Sequence, residues 1–436
     1  MNGRRLLAIG LLFVGASLAW LVLGKVVWSR THQLDNRLSD EMRSLWGPSM
    51  LVQRSPHWSP QANAPTGADP ASSHVTANIH HNHRYKGLLW YSTFSVDFEG
   101  RYTLSAAASD EPNRAGTWYL VFELPNGVTG YENLSVLVDD KPREITSQQI
   151  AAGVLSIPVQ ANEGAAVTVR YTTNGQDMWL YSPSTAPEPS HRPARIREEE
   201  EEEVPSLQAP TGPLVRLGDF SLTVNANFRD IDYPKGSRSP SQPAQPTKDG
   251  VTASWKFANA LTNQSMGIVM PHRANAGPII ARMSLFAPVS LLFFFTAVFT
   301  VVVLKRIQLH PMHYLFLAAG FFAFHILLAY TADKISIHAA FWICAAVSVV
   351  LVVSYMQLVA GARFALFYIG LAQLVYLIGF SYAFFFPGWT GLTVVIGAVV
   401  TLFVLMQATG RVNWFEVFER GGPPLPPSAG PSDQDK

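Results

Sequence analysis

Cysteine is almost absent from this chain, and so is net charge. One thiol, Cys344, in 436 residues leaves no intrachain disulfide to form. It lies inside an apolar run without the partner set of a thiol catalyst, so a small packing residue is expected there. Lysine and arginine number 32 against 31 aspartates and glutamates. That balance supplies no field for nucleic acid or an acidic substrate, and no nucleic-acid partner is expected. Walker loops, dinucleotide fingerprints, HExxH strings and GxSxG elbows are also missing.

Charge is most conspicuously missing between Met283 and Met406, where apolar runs alternate with short polar breaks at Lys305-Arg306, Ala332-Asp333-Lys334, Gly361-Ala362-Arg363 and Pro387 to Gly391. Each run is about 20 residues, enough to cross about 30 Å of hydrocarbon as a helix. A mean hydropathy of +0.14 therefore averages two kinds of solvent. A further run, Leu6 to Leu23, follows Arg4-Arg5 and precedes Lys25. Ser17-Leu18-Ala19 has the small-x-small form of a signal-peptide cleavage site, but it lies within the run, so an uncleaved anchor is expected.

The positive-inside bias orients these spans. With Arg4-Arg5 cytoplasmic, alternation puts Lys305-Arg306, Arg363 and Arg411 inside. The outer breaks carry only Lys334, beside Asp333, and the uncharged Pro387 to Gly391. The expected fold class is a membrane protein with an N-terminal transmembrane anchor, a large mainly antiparallel β periplasmic domain and a C-terminal five-helix transmembrane bundle, six spans in total. The expected divisions are 1–46 (transmembrane helix and helical stalk), 47–282 (periplasmic β-rich domain), 283–410 (bundle) and 411–436 (interfacial segment and disordered cytoplasmic tail). Both termini are expected in the cytoplasm and the bilayer is the first partner.

In the outer region, Leu34, Leu38, Met42 and Leu45 share one helical face, which continues the first helix as a stalk. Residues 48–73 read as loop. Strand character marks 87–107, 117–124, 134–138, 153–159, 222–228 and 251–257. Asn126-Gly127 and Asn174-Gly175 are turn signals, the second between Val167 to Tyr171 and Met178 to Tyr181 as in a hairpin. Disordered loops are expected near 186–209, where Glu198 to Glu203 form an unbroken acidic run that needs solvent, and near 234–250.

No residue group forms a catalytic set, and no catalytic, cofactor-binding or metal site is assigned. Histidines are the residues to watch. His80, His81 and His83 lie together with His74 upstream, and on a strand His81 and His83 share a face, the start of a metal site that would need a third ligand. An exposed strand edge is the plainer reading. In the bundle, His310 and His313 border the cytoplasmic turn, with Pro311 suited to a helix's first turn. His325 sits in an otherwise apolar segment and should face another helix; His338 is a further candidate. The predicted helix interiors contain no Asp, Glu, Lys or Arg, which argues against an ion-coupled transporter or an intramembrane hydrolase.

The string Leu309-His310-Pro311-Met312-His313-Tyr314-Leu315, with Leu285 to Ser290 before it, resembles the CreD family of bacterial inner-membrane proteins. Trp255 with Phe257-Ala258-Asn259, and Arg411-Val412-Asn413-Trp414, are similar to two further strings of that family; Asn413 followed directly by Trp414 departs from its pattern. The resemblance covers about 251–416. It implies one N-terminal span, a large periplasmic region, a C-terminal bundle and a role in envelope integrity or stress, in relatives linked to a two-component response, a colicin and β-lactams. It implies no catalytic activity or substrate. The expected function is non-enzymatic support of the cell envelope, the outer domain meeting an unidentified periplasmic or cell-wall component. The alternatives are a transporter or lipid-handling protein using a cavity between the C-terminal helices, and a membrane enzyme using the histidines near 80 or 310.

Overall fold

The computed structural model describes residues 3–87, 89–104, 116–160, 165–183, 207, 214–273, 275–386 and 388–410. The acidic run 198–203 and the segment 411–436 lie outside the described residues. The chain divides into a helical unit, Met1–His32 with Asn275–Lys436, and a sheet-rich unit, Gln33–Ala274.

Its helices are α1 (Gly3–Trp46), the short α2 (Ser147–Ala152), α3 (Ala276–Leu304), α4 (Pro311–Thr331), α5 (Ile337–Ala360), α6 (Ala362–Phe385) and α7 (Thr390–Thr409). All but α2 are long and apolar enough to cross a membrane. With 44 residues, α1 rises about 66 Å; its last turns, 33–46, belong to the sheet-rich unit. α3 starts at Ala276 rather than at the expected Met283, taking Arg282 into the helix.

Side-chain contacts fix how the first span joins the bundle. Against α3 it runs antiparallel: the rings of Phe13 and Phe295 are 6.4 Å apart, a Cβ on Gly24 would come within 2.8 Å of the Leu285 side chain, and Thr31 closes on Gly277. Small residues thus set the approach of these two helices. Against α4 it runs parallel, with Trp20 on Phe322 and His325 (centroids 5.3 and 5.8 Å) and Arg30 ion-paired to Asp333 just beyond α4. Residues 30 and 31 of α1, the end of α4 and the start of α3 therefore lie at one end of the bundle. Lys305-Arg306 and Arg363 lie at the other.

The sheet-rich unit contains β1 (Met50–Arg54), β2 (His57–Ser59), β3 (Ser72–Lys86), β4 (Leu89–Thr103), β5 (Thr117–Glu123), β6 (Glu132–Val138), β7 (Lys141–Arg143) and β8 (Val154–Gln160). After these come β9 (Ala166–Gln176), β10 (Met178–Ser182), β11 (Val215–Leu217), β12 (Asp219–Ala226), β13 (Gln245–Pro246), β14 (Val251–Phe257), β15 (Ala260–Thr262) and β16 (Met266–Val269). Eight of them form one sheet in the order β13-β14-β12-β3-β4-β9-β6-β7; β1-β10-β16, β2-β5-β8 and β11-β15 form smaller sheets. Pairing is antiparallel except β1 with β10 and β12 with β3. Leu51, Trp58, Leu120 and Trp179 of the smaller sheets share one buried core with Val96, Val169 and Leu222 of the large one. Alternation along β12, Phe220-Leu222-Val224-Ala226 inward, is the pattern that such one-sided burial requires.

Three local readings change. Segment 48–73, expected as loop, contributes β1 and β2, whose Leu51 and Trp58 are fully buried. Asn174-Gly175 is not a turn: both residues continue β9, and Asp177 at φ 56° makes the corner into β10. β10 then leaves β9 to pair with β1 and β16. Segment 234–250, expected as a disordered loop, is tied down beside β14. The Arg238 N–H donates to Ser265 O and the Ser241 N–H to Ser254 O (2.8 and 3.0 Å), while the Trp255 indole donates to Arg238 O (2.8 Å). Asn126-Gly127 does turn, with Gly127 at φ 73°.

Candidate functional site

A group of titratable side chains gathers at one end of the sheet-rich unit. Strand alternation places His81 and His83 on one face of β3, their rings edge-to-face with centroids 4.5 Å apart. From β4, the Ser92 hydroxyl donates to Pro271 O (3.0 Å). With its only proton committed, Ser92 accepts from His81 Nε2–H (2.9 Å), which assigns the His81 tautomer from the network. The corner at Asp177 completes the group: its N–H donates to Ser92 O, its carbonyl accepts from Met270 N–H (2.7 Å), and its carboxylate lies 3.9 Å from His272 Nδ1. Next to His272, the Arg273 guanidinium lies 4.6 Å over the Trp90 ring.

The His81 and His83 rings are half-buried, with the exposed His272 and Arg273 beside them. Burial first, then His83, His272 and Arg273, pulls the His81 imidazole from its ordinary value to about 4. Burial also lowers His83, with Arg273 and His272 adding to it, while burial raises the Asp177 carboxyl against the pull of His272. His83 Nδ1 is buried with no hydrogen-bond partner. The geometry does not make a serine–histidine dyad, because Ser92 is buried and gives its proton to a carbonyl, leaving His81 nothing to abstract. Among the described residues, no group of three or more His, Cys, Asp or Glu is arranged to hold a metal ion. His80 points away from the pair and meets Asp97 (3.1 Å); His74 meets Ser221 (2.8 Å).

Sequence reading brought His81 and His83 together but missed Ser92, Asp177, His272 and Arg273. Their convergence depends on β10 pairing with β16, which no local signal announces. The one visible hint is Pro271-His272-Arg273, a polar string directly after a buried strand.

The bundle carries a second set of polar groups. Gln373 of α6 donates its amide to Ser348 Oγ (2.9 Å) and Ser348 donates to Gly320 O (2.7 Å), joining α6, α5 and α4. Gln373 sits between two wide π turns, Ala365–Gly370 and Leu374–Gly379. Such turns displace backbone carbonyls from their regular donors, and the Tyr376 carbonyl in the second accepts from the Ser290 hydroxyl of α3. His325 donates Nδ1–H back to Phe321 O (3.1 Å) and packs on Trp20, leaving His325 Nε2, Trp20 Nε1, Ser284 Oγ and Gln373 Oε1 buried without partners. Cys344 is buried and contacts Thr331 Oγ1 (3.3 Å).

The histidines of the turn between α3 and α4 make structural contacts. His310 caps α4, its Nδ1 accepting from Met312 N–H (3.3 Å) ahead of Pro311 in the first turn. Leu309 is buried, as is Tyr314, which meets Phe295 edge-on. His313 binds the Tyr355 hydroxyl (2.7 Å), and His338 packs on Phe385 (4.7 Å). The Leu-His-Pro-Met-x-Tyr string is thus a cap and two anchors that start one helix against its neighbour.

The model of the family described as inner membrane protein CreD matches residues 241–415. No curated protein matches the chain. Residues 241–415, the last strands of the sheet-rich unit with the five-helix bundle, are thus similar to the CreD family of inner membrane proteins.

Proposed function

We propose that this multi-pass inner-membrane protein supports the cell envelope without catalysing a reaction, its sheet-rich unit facing the periplasm and contacting a periplasmic or cell-wall component. The observation that carries the orientation is charge placement along the bundle. Arg5, Lys305, Arg306 and Arg363 fall at one end with no acid among the connecting residues, while the short break at the other end carries Lys334 with Asp333, which pairs with Arg30, and Lys25 and Arg282 lie within the helices nearer that end. By the positive-inside bias the first end is cytoplasmic, so a chain leaving the bundle after His32 and returning at Asn275 enters the periplasm. The committed proton of Ser92 supports the non-enzymatic reading.

The test is genetic. Deleting the gene is expected to lower the minimal inhibitory concentration of a cell-wall antibiotic or detergent at least fourfold, restored by the wild type and equally by His81→Gln and His83→Gln. Loss of complementation by either variant at normal protein level would overturn the non-enzymatic reading, and an unchanged concentration in the deletion strain would overturn the envelope role. The unpartnered His325 Nε2 and Gln373 Oε1 favour a second reading, a carrier or lipid-handling bundle. It requires His325→Leu to abolish complementation while the protein still inserts normally.

A further inference from the structure

One strand of the large sheet outruns its neighbour. β12 pairs with β3 only from Ser72 to Ile79, and Asn227 closes that ladder by accepting from the His81 N–H (2.8 Å) and donating to His81 O (3.1 Å). On its other side β3 stays paired with β4 as far as Lys86. Backbone groups of alternate residues in an antiparallel strand point to opposite sides. His83 and Tyr85, in phase with His81, therefore turn their N–H and C=O groups away from β4 along an open edge.

That edge borders a cleft of about 400 Å³ between residues 82–86 and the last turns of α1, a volume within the range of ligand sites. The cleft has an apolar wall, Met42, Leu45 and Trp46, with Leu45 56% and Tyr85 52% exposed. Its cations are Arg84, stacked 3.6 Å over the Trp46 ring, and Lys86, which binds Glu41 at 2.9 Å. No acidic side chain lines it. Arg84 is therefore the charge left to answer. Three edge strands of the unit are blunted by proline, Pro142 in β7, Pro246 in β13 and Pro158 in β8, whereas β1, β2, β11, β15 and β16 carry none. Proline lacks the donor that strand addition needs. Residues 82–86 contain none.

We propose that this edge binds a short extended polypeptide segment by strand addition. The backbone of His83 and Tyr85 would supply the ladder, Leu45 and Trp46 the contact for an apolar side chain, and Arg84 the partner of an aspartate or glutamate on the same face two residues away. The inference deepens the envelope reading by naming the partner class as protein, and it rests on that reading only for the compartment.

The probe is a random heptapeptide library screened against the full-length protein in lipid nanodiscs, followed by titration of synthetic copies of the enriched sequences. Enriched peptides are expected to alternate apolar residues and to carry Asp or Glu. Their affinity should fall at least tenfold for Arg84→Glu and severalfold for Arg84→Gln, with thermal unfolding of both variants unchanged. Methylating the peptide's backbone nitrogens one at a time should weaken binding at alternate positions only. No enrichment over Arg84→Glu, or a methylation scan without that two-residue period, overturns the proposal. So does full competition by wall glycan strands stripped of peptide, which would make this a saccharide cleft. A failed screen beside an intact deletion phenotype sinks this inference alone. A successful screen without a phenotype sinks the envelope role alone.

Discussion

His81 shows how much of the site is decided by a single ring. Its value of about 4 lies below the ordinary 6.5 of histidine because the fold partly buries the ring and holds His83, His272 and Arg273 nearby. The unfolded chain binds the proton more readily, so stability is full above about pH 6.5 and is lost as the pH falls through that value toward 4. The ring is partly exposed, so solvent screening cuts the effect to about 1 kcal/mol between pH 7 and pH 5, or about 3 °C in Tm for a unit of this size. Thermal unfolding of the sheet signal should show that loss in the wild type and little of it in His81→Gln. Asp177 acts in the opposite sense, since burial raises its carboxyl and its protonation at low pH favours the fold. Asp177→Asn should therefore steepen the acid loss. A wild-type Tm that does not fall between pH 7 and pH 5 would refute the burial argument for His81.

Among the elements, α6 and α4 each present a backbone carbonyl to a serine of a neighbouring helix. The Tyr376 carbonyl is satisfied from α3 by Ser290, and the Gly320 carbonyl from α5 by Ser348. An unsatisfied buried group costs about 1–3 kcal/mol, so Ser290→Ala and Ser348→Ala should each destabilise the detergent-solubilised protein by about that amount. Gln373→Met should be near neutral, because it removes an acceptor that has no partner while Ser348 keeps its bond to Gly320. Ranking the three by thermal unfolding decides the matter; Gln373→Met as the worst would mean that Gln373, rather than the serines, holds α6. The six spans were legible from run length alone because hydrocarbon demands continuous apolar helix. The π turns and the Ser348–Gln373 contact were not, since they depend on which helices meet. Strands were legible where one face is buried, as in β12 and β14, and illegible where pairing is remote: β1 finds β10 across the sequence, and Asn174-Gly175, a turn signal by local preference, is held straight by β4 on one side.

The whole molecule poses one question of orientation, and its thiol chemistry makes the answer accessible. Cys344 is buried in α5, so Cys344→Ala gives a blank background at small cost. Into it go Ser239→Cys, at an exposed position in the segment beside β14, and Ser428→Cys, in the stretch after the last span. Contacts within the bundle require Arg30, the start of α3 and Asp333 to share one end, so the membrane sides of 33 and 274 are the same whichever way the protein is inserted. Charge then selects the side, because Arg5, Lys305, Arg306 and Arg363, with no acid among the connecting residues, resist translocation more strongly than the breaks at the other end, which carry Lys334 with Asp333. In intact cells with a permeabilised outer membrane, an impermeant maleimide should label the cysteine at 239 and spare the one at 428, which should react only after the inner membrane is opened. The reverse pattern would place the sheet-rich unit in the cytoplasm and remove the periplasmic partner from the proposal, while leaving the bundle, its capped α4 and its match to the CreD family model intact.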